Sequence, residues 1–353
     1  MKTLLHIITS DKFTIGYIKY MLRTFKDIQH TFLFIKTRYV ENLSDDISKY
    51  SKKVNEVNEL FSDKDLLYSA DKVIVSGLFG LEEYLFFLPN KLLKKMYFQF
   101  WGGDFYSYRN TKLLSRRKLY KMMLHSCIKR CGGILNLIDD DYKELSKIFP
   151  NKNKHYTMIM PDDPDNLSVY DEYALKTNKK KRILLGNSAT EENCHIEILK
   201  KLKHLKDEKM EIICPLSYGD KEYAKKIISI GNKIYGKKFI PITDYMTFDK
   251  YLRLISSCSV AIFNNNRQQA MGNINAMLTF GKKVYIRNTT PMWKEYNSNN
   301  ILIYDVEKLN NISFDDLFKF DQKSSIINNK NMKLREKNRY DNLKKVINLI
   351  MNN

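Results

Sequence analysis

The 353-residue chain has no run approaching the ~18 consecutive apolar residues of a membrane-spanning helix. Its N-terminus, MKTLLHIITSDKF, lacks both a long apolar stretch and a small-residue cleavage site, so it predicts a first β-strand rather than a signal peptide. Cysteine is sparse and odd in number: Cys127, Cys131, Cys194, Cys214 and Cys258. Five such thiols make no disulfide framework. Cys127 and Cys131 lie one helical turn apart, but no further His or Cys pair completes a zinc set. The expectation is five reduced thiols in a cytosolic protein. Neither G-x-G-x-x-G nor a P-loop ending in Gly-Lys-Ser/Thr occurs at a strand end, which argues against an NAD enzyme or an NTPase. No helix-turn-helix, RRM, KH or zinc module is recognisable either.

Acidic residues are outnumbered, 40 Asp and Glu against 60 Lys and Arg, for a formal charge of +20. Such a charge favours nucleic acid, anionic lipid or phosphorylated ligands without choosing among them. Abundant Lys, Asn and Ile throughout the chain supply part of it.

Hydrophobic residues, 43% of the chain, are enough for a sizeable core, and the length fits two domains at about 100–200 residues each. Apolar runs alternate with helical patterns nearly end to end. TLLHII, TFLFIK, KVIVSG, MYFQFWG, GILNLI and YTMIM predict strands, separated by amphipathic stretches such as IGYIKYMLRTF and DYKELSKIF. That rhythm indicates parallel sheets covered by helices on both faces. It breaks at PDDPDNLSVYDEYALKTNKKK and restarts with RILLGN, MEIICPL, KKFIPI, SVAIF, KVYIRN and ILIYD. The expected organisation is a first α/β domain over 1–160, a linker over 161–180, a second α/β domain over 181–320, and a C-terminal helix over 321–353 packing back on the body. Open α/β sheets bind ligands at the carboxyl ends of their strands, so functional residues are expected just after strands, in a cleft between the two domains.

Three strand exits stand out. In RILLGNSATEENCHIEILKKL, Gly186, Asn187 and Ser188 form a turn, and Ser188 or Thr190 is placed to cap a helix opening with Glu191 and Glu192. A glycine there lets backbone approach a ligand, and helix-start N–H groups attract phosphate, although the two glutamates oppose an anion. In FNNNRQQAMGNINAML, helical spacing runs from Gln268 to Phe280. It sets Arg267, Gln268 and Gln269 at the helix entry and Gly272 within the first turns. Arginine offers a forked donor matched to phosphate oxygens. In FQFWGGDFYSYRN, Asp104 tips a tight strand exit, as a turn residue or as a base accepting a proton from a sugar hydroxyl. His6 reads as a core histidine, and Asp11 as a weaker strand-end candidate. Asp139, Asp140 and Asp141 formally match Asp-x-Asp but read as the N-terminal turn of a helix.

Beyond Asp104, Arg109, Lys112, Arg116, Arg117, Lys118, Lys121, Lys129 and Arg130 follow without an intervening acid, interleaved with Tyr, Leu and Met. A basic amphipathic helix of this kind suits an anionic membrane surface or a lipid diphosphate. The same charges would also serve as the solvated face of a core helix.

Taken together, RILLGNSATEENCHIEILKKL, FDKYLRLISSCSVAIF, RQQAMGNINAMLTFGKKV and WGGDFY resemble glycosyltransferase family 56, in the same order and over most of the chain. Members resemble WGADLY where this chain has WGGDFY. These are bacterial TDP-N-acetylfucosamine:lipid II N-acetylfucosaminyltransferases. The resemblance implies a GT-B architecture of two facing Rossmann-like domains. It also implies transfer of 4-acetamido-4,6-dideoxy-D-galactose (Fuc4NAc) from its TDP-sugar to an undecaprenyl-diphosphate-linked glycan in enterobacterial common antigen or O-antigen synthesis. The enzyme would sit peripherally on the cytoplasmic face of the inner membrane. It would use no cofactor, metal or nucleic acid. Carried onto this sequence, Gly186, Asn187, Ser188, Thr190, Arg267, Gln268, Gln269, Gly272 and Asn273 surround the donor. Arg267 stabilises the leaving diphosphate, Asp104 is the candidate base, and Arg109, Lys112, Arg116, Arg117, Lys118 and Lys121 face the acceptor or membrane. The nearest alternative is a GT-B transferase for another nucleotide sugar in O-antigen or capsule assembly. A basic nucleic-acid-binding protein and a non-catalytic assembly scaffold are more distant ones.

Overall fold

The computed structural model describes residues 1–9, 13–35, 45–54, 59, 64–112, 115–161, 169–176 and 180–353. Asp11, Leu113, Leu114 and much of the expected linker lie outside them. The chain divides into two compact units, residues 1–167 with 337–353, and residues 168–336.

The first unit is built on β1 (Lys2–Thr9), β2 (Ile28–Ile35), β3 (Ser51–Val54), β4 (Lys72–Ser76), β5 (Met96–Phe100), β6 (Gly133–Asn136) and β7 (His155–Thr157). They pair in the order β3-β2-β1-β4-β5-β6-β7. Each pairing is parallel, as the continuous apolar runs predict for strands buried on both faces. Residues of opposite parity on β1 feed two separate cores. Leu5 and Ile7 join Val73, Val75, Phe98 and Ile134 on one face. Leu4 and Ile8 join Ile74, Tyr97 and Leu135 on the other.

Helix α1 (Thr14–Thr24) covers the second face with Tyr17, Ile18 and Met21, while α2 (Arg116–Arg130) and α3 (Asp139–Ile148) lie on the first. Asp139, Asp140 and Asp141 occupy the first turn of α3, where their charge complements the helix dipole.

The second unit repeats the topology. β8 (Arg182–Leu185), β9 (Glu211–Pro215), β10 (Phe239–Ile242), β11 (Val260–Phe263), β12 (Lys283–Ile286) and β13 (Tyr304–Asp305) pair in parallel in the order β10-β9-β8-β11-β12-β13. The helices that bear on function are α4 (His195–Lys201), α5 (Lys221–Tyr235), α6 (Phe248–Ser256) and α7 (Met271–Thr279). In this doubly wound order the chain reverses direction across the sheet between β8 and β11. The crevice at that switch point is where such sheets take ligands.

The last helix, α8 (Gln322–Asn352), is shared between the units. Its Leu343, Val346, Ile347 and Ile350 recur at helical spacing and complete the core beneath α1. Among the described residues no helix is long and apolar enough to cross a membrane.

Candidate functional site

The loops leaving β8 and β11 meet at the switch point. Gly186 follows β8 with φ +69° and donates its N–H to the carbonyl of Ile262 on β11, at 2.9 Å. Asn193 is the hub of the first loop. Its Oδ1 accepts the Asn187 N–H at 3.0 Å, and its Nδ2 donates to Ser188 Oγ at 3.2 Å and Thr190 Oγ1 at 2.9 Å. The second loop reaches the same hydroxyls: Gln269 Nε2 lies 3.2 Å from Ser188 Oγ and 3.3 Å from Thr190 Oγ1. Asn265 Nδ2 holds Gln269 Oε1 at 3.1 Å, and the Asn266 N–H donates to the Glu192 carbonyl at 3.0 Å. The Gly-Asn-Ser and Arg-Gln-Gln segments, 81 residues apart at Ser188 and Gln269, thus form one hydrogen-bonded unit.

Both helix entries differ from the sequence expectation. Ser188 and Thr190 do not cap a helix opening at Glu191. Residues Glu191–Asn193 make one 3-10 turn, Cys194 turns left-handed at φ +48°, and α4 starts at His195. The hydroxyls are already occupied by Asn193 and Gln269. Likewise α7 starts at Met271 rather than Gln268, because Ala270 is left-handed at φ +62°. A non-glycine residue there costs on the order of 1 kcal/mol. The kink turns Gln269 back onto the first loop. Gly272 falls in the first turn of α7, and Asn273 donates to Tyr251 Oη of α6 at 2.8 Å, so it ties two helices together.

Several polar groups here are buried without a partner among the described residues: Asn187 Oδ1, Asn264 Oδ1, Asn265 Oδ1, Gln268 Oε1 and Arg287 Nε. Asn264 and Asn265 are fully buried, and Gln268 is 3% exposed. A buried polar atom left unpaired costs about 1–3 kcal/mol, so their gathering here makes this the candidate site for a polar ligand. Arg267 is mostly buried. Its Nε is a loose 3.5 Å from Glu192 Oε1, and its Nη1 donates to the Gln268 carbonyl at 3.0 Å. Arg287 and Asn264 share Glu197 Oε2, at 2.8 and 3.0 Å. Beneath the turn, His195 packs against Gly186 with Nδ1 3.3 Å from Tyr223 Oη, and burial pulls its pKa down to about 4.

Asn193, His195, Asn264, Asn265, Glu192 and Arg287 were missed as site residues. The signal was the Asn-Asn-Asn run directly after SVAIF, an unusual density of amides at a strand exit.

In the first unit Asp104 is 2% exposed. Gly102, at φ +95°, folds the chain so that Asp104 Oδ1 accepts the Trp101 N–H at 3.0 Å and Oδ2 accepts that of Leu78 at 3.3 Å. The carboxylate therefore clamps the exits of β4 and β5 and does not stand at a turn tip. Burial raises its pKa to about 6, against the lowering effect of these N–H groups. A raised acid pKa means the folded state holds the proton more tightly, so this contribution is complete below the unfolded value near 3.8 and is lost as pH rises through about 6. Over that window the wild type should lose about 3 kcal/mol relative to Asp104→Asn, measured by urea unfolding at stepped pH. Parallel pH profiles would refute the burial argument. At the neighbouring exits, Trp101 Nε1 and both side-chain polar atoms of Asn136 are buried and have no partner among the described residues. His6 is a core histidine, with Nε2 3.0 Å from His30 Nδ1 and Nδ1 2.9 Å from Tyr17 Oη.

The basic segment is not one amphipathic helix. Tyr106 and Tyr108 precede α2 and are buried in the core, and α2 buries only Leu124, Cys127 and Ile128. Leu119 and Met122 stand 50% and 60% exposed beside Arg116, Arg117 and Lys118. Their spacing does not follow the buried stripe of α2. Arg109 is paired with Glu144 at 2.9 Å, and Lys121 donates to the Tyr108 carbonyl at 3.2 Å, whereas Lys112, Arg116 and Arg117 are exposed.

A family described as 4-alpha-L-fucosyltransferase, glycosyl transferase group 56, matches residues 20–323. The chain belongs to glycosyltransferase group 56. Group 56 membership makes it a transferase and implies a nucleotide-sugar donor and a glycan acceptor. Solved structures agree on the fold. HepE from Anabaena, in complex with UDP and glucose, matches over 100% of both chains at 7% identity and TM-score 0.71. A glycosyltransferase from Rickettsia africae matches 98% of this chain and 99% of its own, at 15% identity and TM-score 0.62. WaaG, a glycosyltransferase involved in lipopolysaccharide biosynthesis, matches 98% of this chain and 99% of its own, at 9% identity and TM-score 0.63. The group 56 chain accordingly has the GT-B fold, with two parallel-sheet α/β domains of seven and six strands.

Proposed function

We propose that this group 56 enzyme transfers Fuc4NAc from its TDP-sugar to an undecaprenyl-diphosphate-linked glycan, during synthesis of a bacterial surface polysaccharide of the enterobacterial common antigen or O-antigen type. The observation that carries the donor half is the set of buried, unpartnered polar atoms where the loops after β8 and β11 meet. Asn187, Asn264, Asn265 and Gln268 present carbonyl oxygens suited to the hydroxyls and the amide N–H of an N-acetylated sugar. Gly186, Ser188, Thr190 and Gln269 form the hydrogen-bonded floor beneath them. Arg267, held loosely by Glu192, turns to the diphosphate and stabilises the charge that develops as the glycosidic bond breaks. Gly272 and Asn273 support this arrangement from α7 rather than through direct contact.

The first unit takes the acceptor. Lys112, Arg116, Arg117 and Lys118, with the exposed Leu119 and Met122, supply a basic and apolar face suited to the anionic cytoplasmic surface of the inner membrane and the lipid diphosphate. Asp104 shapes the exits of β4 and β5, and a retaining reaction needs no base from it. HepE was solved with UDP and glucose, and WaaG belongs to lipopolysaccharide biosynthesis, both consistent with a nucleotide-sugar enzyme of surface-glycan assembly.

The test is to incubate the full chain with a panel of nucleotide sugars and isolated lipid-linked glycans, following products by mass. One added Fuc4NAc residue with release of TDP is expected. Transfer from a different nucleotide sugar alone would move the donor assignment, and no transfer from any TDP-sugar would sink it. Arg267→Ala should lower kcat/KM about 100-fold, corresponding to ~3 kcal/mol of lost transition-state stabilisation. Unchanged kinetics in that variant would remove Arg267 from the leaving-group role.

A further inference from the structure

A second cavity lies in the same unit, at the amino ends of the strands and therefore on the opposite edge of the sheet from Gly186. It encloses about 160 Å³. Its floor is Val260 at the start of β11 and Lys282 and Lys283 at the start of β12, and its roof is the segment Leu317–Asp321 with the first turns of α8. The walls are preformed. Asn328 Oδ1 accepts the Leu302 N–H at 2.7 Å and its Nδ2 donates to the Leu302 carbonyl at 2.8 Å, while Ser325 Oγ donates to the Gly281 carbonyl at 2.6 Å.

Among the described residues that line it, five are lysines, at 176, 181, 282, 283 and 319, and Asp321 alone is acidic. Lysine is common in this chain, so their number alone decides little. The burial of Lys282 is more telling. It is 4% exposed, and among the described residues its three-donor ammonium finds one acceptor, the Lys176 carbonyl at 2.5 Å. Burial pulls its pKa down to about 8, yet it carries its charge at neutral pH. A buried cation given one acceptor among the described residues is costly unless an anion joins it. Tyr304 and Phe318 line the same space. Lys283 lies over the Tyr304 ring at 5.1 Å and Lys181 over Phe318 at 5.7 Å, so the aromatic walls and the ammonium groups are interleaved.

We propose that this cavity is a second binding site, for a small ring-bearing phosphate ester, distinct from the sugar-nucleotide site. A phosphate offers several oxygens and close to two charges, which matches convergent lysine point charges better than a single carboxylate does. The ring lies against Tyr304 and Phe318, and the phosphate meets Lys282 and Lys283.

The probe is phenyl phosphate, titrated calorimetrically into the full chain at fixed ionic strength, with and without saturating TDP. Saturable binding that survives TDP is expected. Lys282→Met should weaken it about tenfold, as loss of one charge-assisted contact. Lys319→Glu changes an exposed side chain, leaves folding intact and should weaken binding severalfold by charge reversal. TDP affinity should be unchanged in both variants. Absence of saturable binding to the wild type, displacement of phenyl phosphate by TDP, or equal affinity in both variants would overturn the proposal. Because TDP binding is measured separately, failure at this cavity and failure of the donor assignment give different results.

Discussion

Gly186→Val should leave an enzyme that no longer binds the proposed TDP donor and whose second unit is destabilised by about 3–5 kcal/mol. Two effects add. Gly186 sits at φ +69°, where a β-branched residue is strongly disfavoured. A Cβ there would also stand 2.3 Å from His195 Nε2 and 2.9 Å from Asn193 Oδ1, inside contact distance of both. Neither neighbour has room to yield, since both are fully buried. His195 opens α4, and Asn193 holds Asn187, Ser188 and Thr190 at once. Relief of the clash therefore moves the whole loop that meets Gln269. Gly186→Ala should show the same losses at smaller size, which keeps the test readable if the valine variant fails to fold. Adding His195→Ala to Gly186→Ala removes the closest contact and should recover part of the stability, a coupling that a double-mutant cycle in urea measures. If Gly186→Ala binds the proposed TDP donor and unfolds like the wild type, the close packing of Gly186 on His195 has no part in shaping the site.

The sequence made the sheets legible because parallel strands buried on both faces are written as short unbroken apolar runs, such as KVIVS and VAIF. Ser51–Val54, read SKKV, carries no such run. Among the described residues it is an edge strand paired to β2 alone, and the sequence offered nothing to announce it. Helix entries were misjudged where polar side chains serve one another. Ser188 and Thr190 look like caps in one dimension, but Gln269, 81 residues from Ser188, takes the same hydroxyls. Asp104 shows the same limit. A carboxylate after Gly-Gly reads as an exposed turn residue, and only the approach of the Leu78 N–H from the exit of β4 makes it a buried clamp. The juxtaposition of Gly-Asn-Ser with Arg-Gln-Gln was legible, since both follow strands and such sheets gather ligands at those ends. Which amides stay unpaired there is a property of the folded packing, and so the roles of Asn264 and Asn265 were not.

Mild acid should weaken both units through buried histidines, by about 3 kcal/mol for His30 and about 3 kcal/mol for His195. Burial pulls both from the usual 6.5 to about 4. A histidine with a depressed folded pKa leaves the native state holding fewer protons than the unfolded chain. Stability is therefore intact above pH 6.5 and lost as pH falls through about 4. In the first unit the hydrogen bonds give a second reason. The Phe25 carbonyl can only accept, so His30 Nε2 carries the hydrogen; neutral His30 then accepts at Nδ1 from His6 Nε2, and Tyr17 donates to His6 Nδ1. Each ring has one donor and one acceptor in this chain, and a proton added to His30 Nδ1 sets its hydrogen against that of His6 Nε2. Asp104 works in the opposite direction over part of the same range, so the first unit should lose less overall than its histidines alone would dictate. No such offset is evident at His195, which underlies Gly186. Folded His195 stays neutral down to about 4, so affinity for the proposed TDP donor should fall as pH drops through about 4, and His195→Gln should flatten that fall while His30→Gln leaves it unchanged. A pH profile for binding of the proposed TDP donor that is identical in the wild type and His195→Gln would show that the imidazole under the turn has no bearing on the loop after β8.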